Sequence, residues 1–136
     1  LEFVAEVDGV QYVNDSKGTN VGAVARSLES FTVPLVLIAG GQEKMSDFTP
    51  LAPLVRERVK RLILIGQAAA KLRAQLDGAC AMEEAGSLEE AVQRAASVAS
   101  PGEVVLLSPA CASFDMFADF EDRGRVFKEA VRRLAS

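Results

Sequence analysis

The period of apolar and polar positions changes along the chain, and each change marks an element. Residues 2–7, EFVAEV, alternate at period two, and VQYVND follows after Asp8-Gly9. An Asp-Gly pair between two alternating runs predicts a hairpin, so the first two strands are expected to be antiparallel. From residue 20 the pattern is helical: NVGAVARSLESF places Val21, Val24, Ala25 and Leu28 on one face. VPLVLIAGG is apolar without interruption and ends in two glycines, as expected of a strand buried on both faces. TPLAPLVRERV (49–59) predicts a helix with Thr49 as N-cap and Pro50 at its first position.

KRLILIG is a second buried strand, and QAAAKLRAQL a helix of strong helix formers. GACAMEEA predicts a short strand near Cys80–Met82. Ser87 and Glu90 have the spacing of a capping box at the head of SLEEAVQRAASVA. GEVVLLSPA is the last buried strand. DFEDRGRVFKEAVRRLAS, ending at Ser136, is the last helix, with Asp119 as N-cap and Phe127, Ala130, Val131 and Leu134 on one face. Strands that alternate with helices and are apolar throughout predict a three-layer α/β/α sandwich around a mostly parallel sheet. The chain reads as one domain, 1–136, with no internal repeat and no linker.

Composition narrows the function. The net charge of −4 and the scattered lysines and arginines argue against a nucleic-acid surface. No apolar run approaches roughly 20 residues, so no membrane span is predicted. The chain has no histidine, which removes Ser-His-Asp and Cys-His sites and histidine-based zinc sites. Cys80 and Cys111 are far apart, form no CxxC, and are expected as reduced thiols.

Ligands of open α/β sheets bind at the carboxyl ends of the strands. Here those ends carry NDSKGTN, GGQEKMSDF, GQAAAK and SPACASFDMF. Taken alone, NDSKGTN is equally well a loop ending in a helix N-cap, Thr19 or Asn20, or a site for an anion or ribose, with Lys17 as the cation and Thr19 at a positive helix end. GGQEKMSDF is neither GxGxxG nor a Walker A sequence, and Lys44 on its own reads as a solvated lysine. In SPACASFDMFADFEDRG, Ser108, Ser113, Asp115 and the start of the last helix cluster. The rings of Phe114, Phe117, Phe120 and Phe127 are expected in the core. The backbone N–H of Phe120, at a helix N-terminus, suits a carboxylate. The loops offer hydroxyls, lysines and a helix end, without an obvious nucleophile, general base or metal cage. Such a site binds an anionic small molecule more convincingly than it transforms one.

VNDSKGTNVGA (13–23), GGQEKMSDF (40–48) and LLSPACASFDMFADFEDRGRVF (106–127), in this order, resemble the C-terminal domain of the Mur ligases, in particular of the branch that adds D-glutamate. The resemblance covers essentially the whole chain, and the DNPR-type motif of the branch that adds a diamino acid is absent. It implies a Rossmann-like, six-stranded mixed sheet with one antiparallel strand. It also implies the third domain of a three-domain cytoplasmic, monomeric enzyme of peptidoglycan synthesis. In that family ATP, with Mg2+, phosphorylates the carboxylate of UDP-N-acetylmuramoyl-L-alanine, and the amine of D-glutamate attacks the acyl phosphate.

On this resemblance Asp15 and Lys17 are ATP-side contacts. Thr19, Lys44 and Ser113 are contacts to the D-glutamate carboxylates, and Phe120 donates its backbone N–H to one of them. Gly18 stands where the family often has alanine, a small-for-small change. The resemblance also implies that the GxxGK[ST] loop and the magnesium-binding carboxylates belong to the central domain and an ATP-contacting arginine to the segment before Leu1, so the chain alone is expected to be inactive. Two alternatives remain at this point: the C-terminal domain of a folylpolyglutamate synthase-like ligase, against which the SPACAS run argues, and a stand-alone anion-binding module.

Overall fold

A computed structural model describes residues 1–135; Ser136, the end of the predicted last helix, lies outside the described residues. The hairpin forms as the Asp-Gly pair predicts. β1 (Glu2–Val7) and β2 (Val10–Asn14) pair antiparallel, with Val7 opposite Val10. The turn between them places Asp8 at φ 53° and Gly9 at φ 80°, the two left-handed residues that match the twist of the strands.

The remaining strands are β3 (Leu35–Gly40), β4 (Val59–Ile65), β5 (Ala81–Glu84) and β6 (Val104–Leu107). The sheet has six strands in the order β1-β2-β6-β3-β4-β5, and every pairing but the hairpin is parallel. The mixed, mostly parallel sheet of the sequence reading is therefore the observed one.

Why the central strands are apolar throughout follows from the two faces of the sheet. Leu35, Leu37, Ala39, Leu62, Leu64 and Leu106 point into one buried layer, and Val36, Ile38, Ile63, Ile65, Val105 and Leu107 into the other. Helices cover both faces. On the first lie α1 (Val21–Glu29), α2 (Ala52–Arg58) and α3 (Ala69–Gln75). On the second lie α4 (Leu88–Val98) and α5 (Phe120–Leu134), which contributes Phe127 and Val131. Among the described residues no helix is long and apolar enough to cross a membrane.

Helix starts follow the predicted caps with one exception. Asn20 accepts from the Ala23 N–H at 2.9 Å, Ser87 from Glu90 at 3.1 Å and Asp119 from Asp122 at 2.7 Å. The reciprocal arm of the Ser87 box lands one residue early, the Glu90 carboxylate accepting from the Gly86 N–H. Thr49, however, caps nothing. Residues Thr49–Leu51 form a 3₁₀ turn that runs into α2, and Asp47 instead accepts from the Thr49 N–H and hydroxyl at 3.0 and 2.7 Å. Pro53, four residues after Thr49, has no N–H to donate to the Thr49 carbonyl, which removes the first bond of an α-helix capped at Thr49, whereas Pro50 at the first position removes none.

The aromatic expectation divides. Phe127 is fully buried and Phe117 packs against the α4–α5 layer, whereas Phe114 and Phe120 are 63% and 36% exposed. Both exposed rings come after the end of β6, Phe114 in the loop that follows it and Phe120 at the first position of α5.

Candidate functional site

The carboxyl ends of β2, β3, β4 and β6 are laced together by hydrogen bonds between loops. β6, between β2 and β3, is the hub. Gly40 N–H donates to Pro109 O at 3.0 Å, Gln42 N–H to Ala112 O at 2.8 Å, Ala110 N–H to Gly18 O at 2.9 Å and Ala68 N–H to Gly41 O at 2.9 Å. Such an approach needs glycine. Gly40 and Gly41 sit at φ 125° and 143°, and a Cβ on them would stand 2.0 Å from Ile65 O and 2.5 Å from Ala112 O. Ala110 itself adopts φ 63°, a left-handed conformation that a non-glycine residue holds only when its surroundings impose it.

Asp15 is the organising carboxylate of the first loop. Its Oδ2 accepts from the hydroxyls of Ser27 at 2.5 Å and Ser108 at 2.8 Å, joining α1 and the end of β6. Its other oxygen has no hydrogen-bond partner among the described residues. Lys17 is exposed and borders two clefts. One, of about 320 Å³, includes Asp15, Ser16, Lys17, Phe120 and Gly124 in its lining. The other, of about 420 Å³, lies on the α1 side, with Asn20 and Arg26 in its wall. Neither Lys17 nor the exposed Lys44 has an ion-pair partner among the described residues.

Thr19 is half-buried beside Gly18, whose carbonyl meets Ala110. Ser113 is 2% exposed, next to Ala112, whose carbonyl meets the loop of Lys44. Phe120 is the first residue of α5; its carbonyl accepts from Ser16 Oγ at 2.6 Å, which ties the helix end to the first loop. The six predicted positions thus fall on one connected edge. Gly18 proves less idle than a small-for-small exchange suggests: a Cβ there would lie 2.7 Å from both Asp15 Oδ2 and Ser108 Oγ.

The residue that fastens this edge escaped the sequence reading. Arg123 is fully buried, and its guanidinium donates to Ser16 Oγ at 2.9 Å, Ser16 O at 2.7 Å and Cys111 O at 2.9 Å. It has no salt bridge among the described residues; burial pushes its pKa down to about 10, against the pull of nearby Asp115, so it stays charged at neutral pH. The signal was present: Arg123 stands four residues before Phe127 and eight before Val131, a charge on an apolar stripe. Burial likewise pushes the neighbouring Cys111 thiol up to about 12, which makes it inert as a nucleophile.

A larger cleft of about 530 Å³ lies at the opposite edge of the sheet, lined by Pro34, Arg58 and Lys60 among others. Its cations are spent: Arg58 donates to the carbonyls of Leu28, Glu29 and Phe31 at the end of α1, and Lys60 pairs with Glu103 at 2.7 Å.

The family model described as "Mur ligase, glutamate ligase domain" matches residues 1–111. The chain belongs to the Mur ligase family. Relatives of this Mur ligase domain carry the name UDP-N-acetylmuramoylalanine–D-glutamate ligase. One from Geotalea daltonii is 55% identical over 99% of the chain, and one from Hahella chejuensis 54% identical over 98%. The chain spans about 30% of the length of these curated relatives. A solved domain from Haemophilus ducreyi, assigned to a UDP-N-acetylmuramate:L-alanyl-γ-D-glutamyl-diaminopimelate ligase, superposes with a TM-score of 0.62. At 15% identity over 99% of both chains, it supports the fold alone.

The residues present suit a nucleotide flank, because among the described residues one Asp15 oxygen accepts no hydrogen bond and Lys17 has no ion-pair partner. For a metal the donor set is poor: the described residues contain no cluster of three or more histidine, cysteine, aspartate or glutamate side chains.

Proposed function

We propose that this Mur ligase domain is the amino-acid-binding domain of a cytoplasmic, ATP-dependent ligase of peptidoglycan synthesis that joins D-glutamate to UDP-N-acetylmuramoyl-L-alanine. The observation that carries the reading is the laced strand-end edge, where two lysines lack carboxylate partners among the described residues beside hydroxyls and a helix N-terminus. Such a set complements a dicarboxylate. The names of the relatives point to the same substrate.

In this reading Lys44 neutralises one carboxylate of D-glutamate, while Thr19, Ser113 and the Phe120 N–H orient it. Asp15 and Lys17 face the nucleotide; Asp15, held by Ser27 and Ser108, offers its free oxygen to a ribose hydroxyl, and Lys17 offers its charge to phosphate. ATP supplies activation of the acceptor carboxylate, and Mg2+ is held by the N-terminal or central domain of the same monomeric enzyme. This domain delivers the amine and closes over the site.

The test is the full-length enzyme with Lys44→Ala. A charge-assisted contact of roughly 1.5–3 kcal/mol predicts a KM for D-glutamate raised about 10- to 150-fold, with a smaller effect on ATP. A change in the ATP constant alone overturns the assignment of this loop.

A further inference from the structure

Residues 41–48 have no helix or strand of their own, yet they carry Lys44. They are held by one face of the next helical segment. Gln67, at the entrance to α3, and Lys71 and Gln75 within it, stand four residues apart and so share a face. Gln67 Oε1 accepts from the Glu43 N–H at 3.2 Å, and Gln75 Oε1 accepts from the Phe48 N–H at 2.7 Å. Between them Lys71 Nζ donates to Glu43 Oε1 at 3.2 Å and to Lys44 O at 3.4 Å. The same ammonium lies 5.8 Å from the centre of the buried Phe48 ring. The Gln67 N–H in turn donates to Asp115 Oδ2 at 3.1 Å, two residues beyond Ser113.

A loop that needed only packing would be served by Phe48. The charged rung has another consequence. Glu43 is adjacent to Lys44, and its carboxylate competes with any anionic ligand for that ammonium. Pairing with Lys71 turns the Glu43 charge toward α3 and leaves Lys44 free.

We propose that the Gln67–Lys71–Gln75 face of α3 positions Lys44 for the amino-acid substrate, with Lys71 as a positioning residue that also keeps Glu43 from masking the site. The proposal rests on the reading of Lys44 as a carboxylate contact. It assigns part of the D-glutamate affinity to a helix through its contacts with the 41–48 loop.

Steady-state kinetics of the full-length enzyme tests it. Lys71→Met should raise the KM for D-glutamate about tenfold and that for ATP less than about twofold, because a misplaced contact weakens only the substrate it meets. Lys71→Arg should stay close to wild type, since it keeps both charge and reach. The informative variant is Lys71→Met with Glu43→Gln, which should recover most of the lost D-glutamate affinity by removing the competing charge. If Lys44→Ala raises the D-glutamate KM while Lys71→Met does not, the positioning role is overturned and the reading of Lys44 stands. If Lys44→Ala has no effect, both are overturned. Equal rises for ATP and D-glutamate in Lys71→Met leave Lys71 a plain structural residue and overturn the proposal, and a selective rise that Glu43→Gln does not recover overturns the unmasking role.

Discussion

Replacing Arg123 by methionine keeps the length and the apolar stem of the side chain but removes all three donors. Ser16 O and Cys111 O are then buried without a partner, at about 1–3 kcal/mol each. Against that stands relief: a guanidinium buried beside neutral carbonyls carries a desolvation cost that methionine does not. The net expectation is a loss of about 3 kcal/mol. Lysine, which keeps the charge but cannot fork toward two loops, should lose roughly half as much. Urea denaturation of the 136-residue chain reads this directly: at an m-value of about 1–3 kcal/mol/M, the Met variant should unfold about 1–3 M earlier. If Arg123→Met lies within about 0.5 kcal/mol of wild type, the two carbonyls are satisfied without the guanidinium and its role as fastener is refuted.

Three further outcomes follow from the same geometry. Phe120→Pro should preserve the fold, because the position opens α5 and Asp119 before it is extended at φ −162° and ψ −177°. In the full-length enzyme it should weaken D-glutamate binding, whereas Phe120→Leu should not; equal affinities would exclude the backbone donor. The Cys111 thiol, pushed up to about 12 in the fold, ionises earlier in the unfolded chain, so its contribution to stability is intact below pH 9 and is lost as pH rises from about 9 toward 12. That fall is at most about 1.4 kcal/mol per pH unit for one proton; denaturation curves of Cys111→Ala should lack it, and an unchanged slope would refute the assignment. Finally, the purified 136-residue chain should hydrolyse no ATP, and sustained phosphate release in a malachite-green assay would contradict this.

What could be read from the sequence was whatever depends on near neighbours. The Asp8-Gly9 turn, the two-sided strands and the α5 stripe are each written within a dozen residues, and each forms as read. The strand-end rule also placed the loops of Asp15, Lys17, Thr19, Lys44 and Ser113 on one edge, while the family resemblance singled out these residues and Phe120. Contacts between distant segments were not legible. Gln67, Lys71 and Gln75 look like ordinary helix formers until the loop more than 20 residues before them is seen against them. The rings of Phe114 and Phe120 look like core because hydrophobicity alone does not say where the sheet ends. Thr49 looks like a cap because the N–H that Pro53 lacks is not a property of Thr49.

The place of β6 has a consequence for how the domain is made. The hairpin of β1 and β2 joins the rest of the sheet only through β6, and the polar loop that follows it is completed from the same late part of the chain. Ser108 reaches Asp15 across 93 residues, Phe120 meets Ser16 across 104, and Arg123 meets Ser16 across 107. Contacts so far apart in sequence form late, because closing the chain between them costs entropy that no earlier contact repays. The hairpin of β1 and β2 therefore stays without its neighbour in the sheet until β6 has formed. The loop at residues 13–20 gains its full set of contacts only when α5 docks, so the shape of this edge and the docking of that helix arrive in the same step.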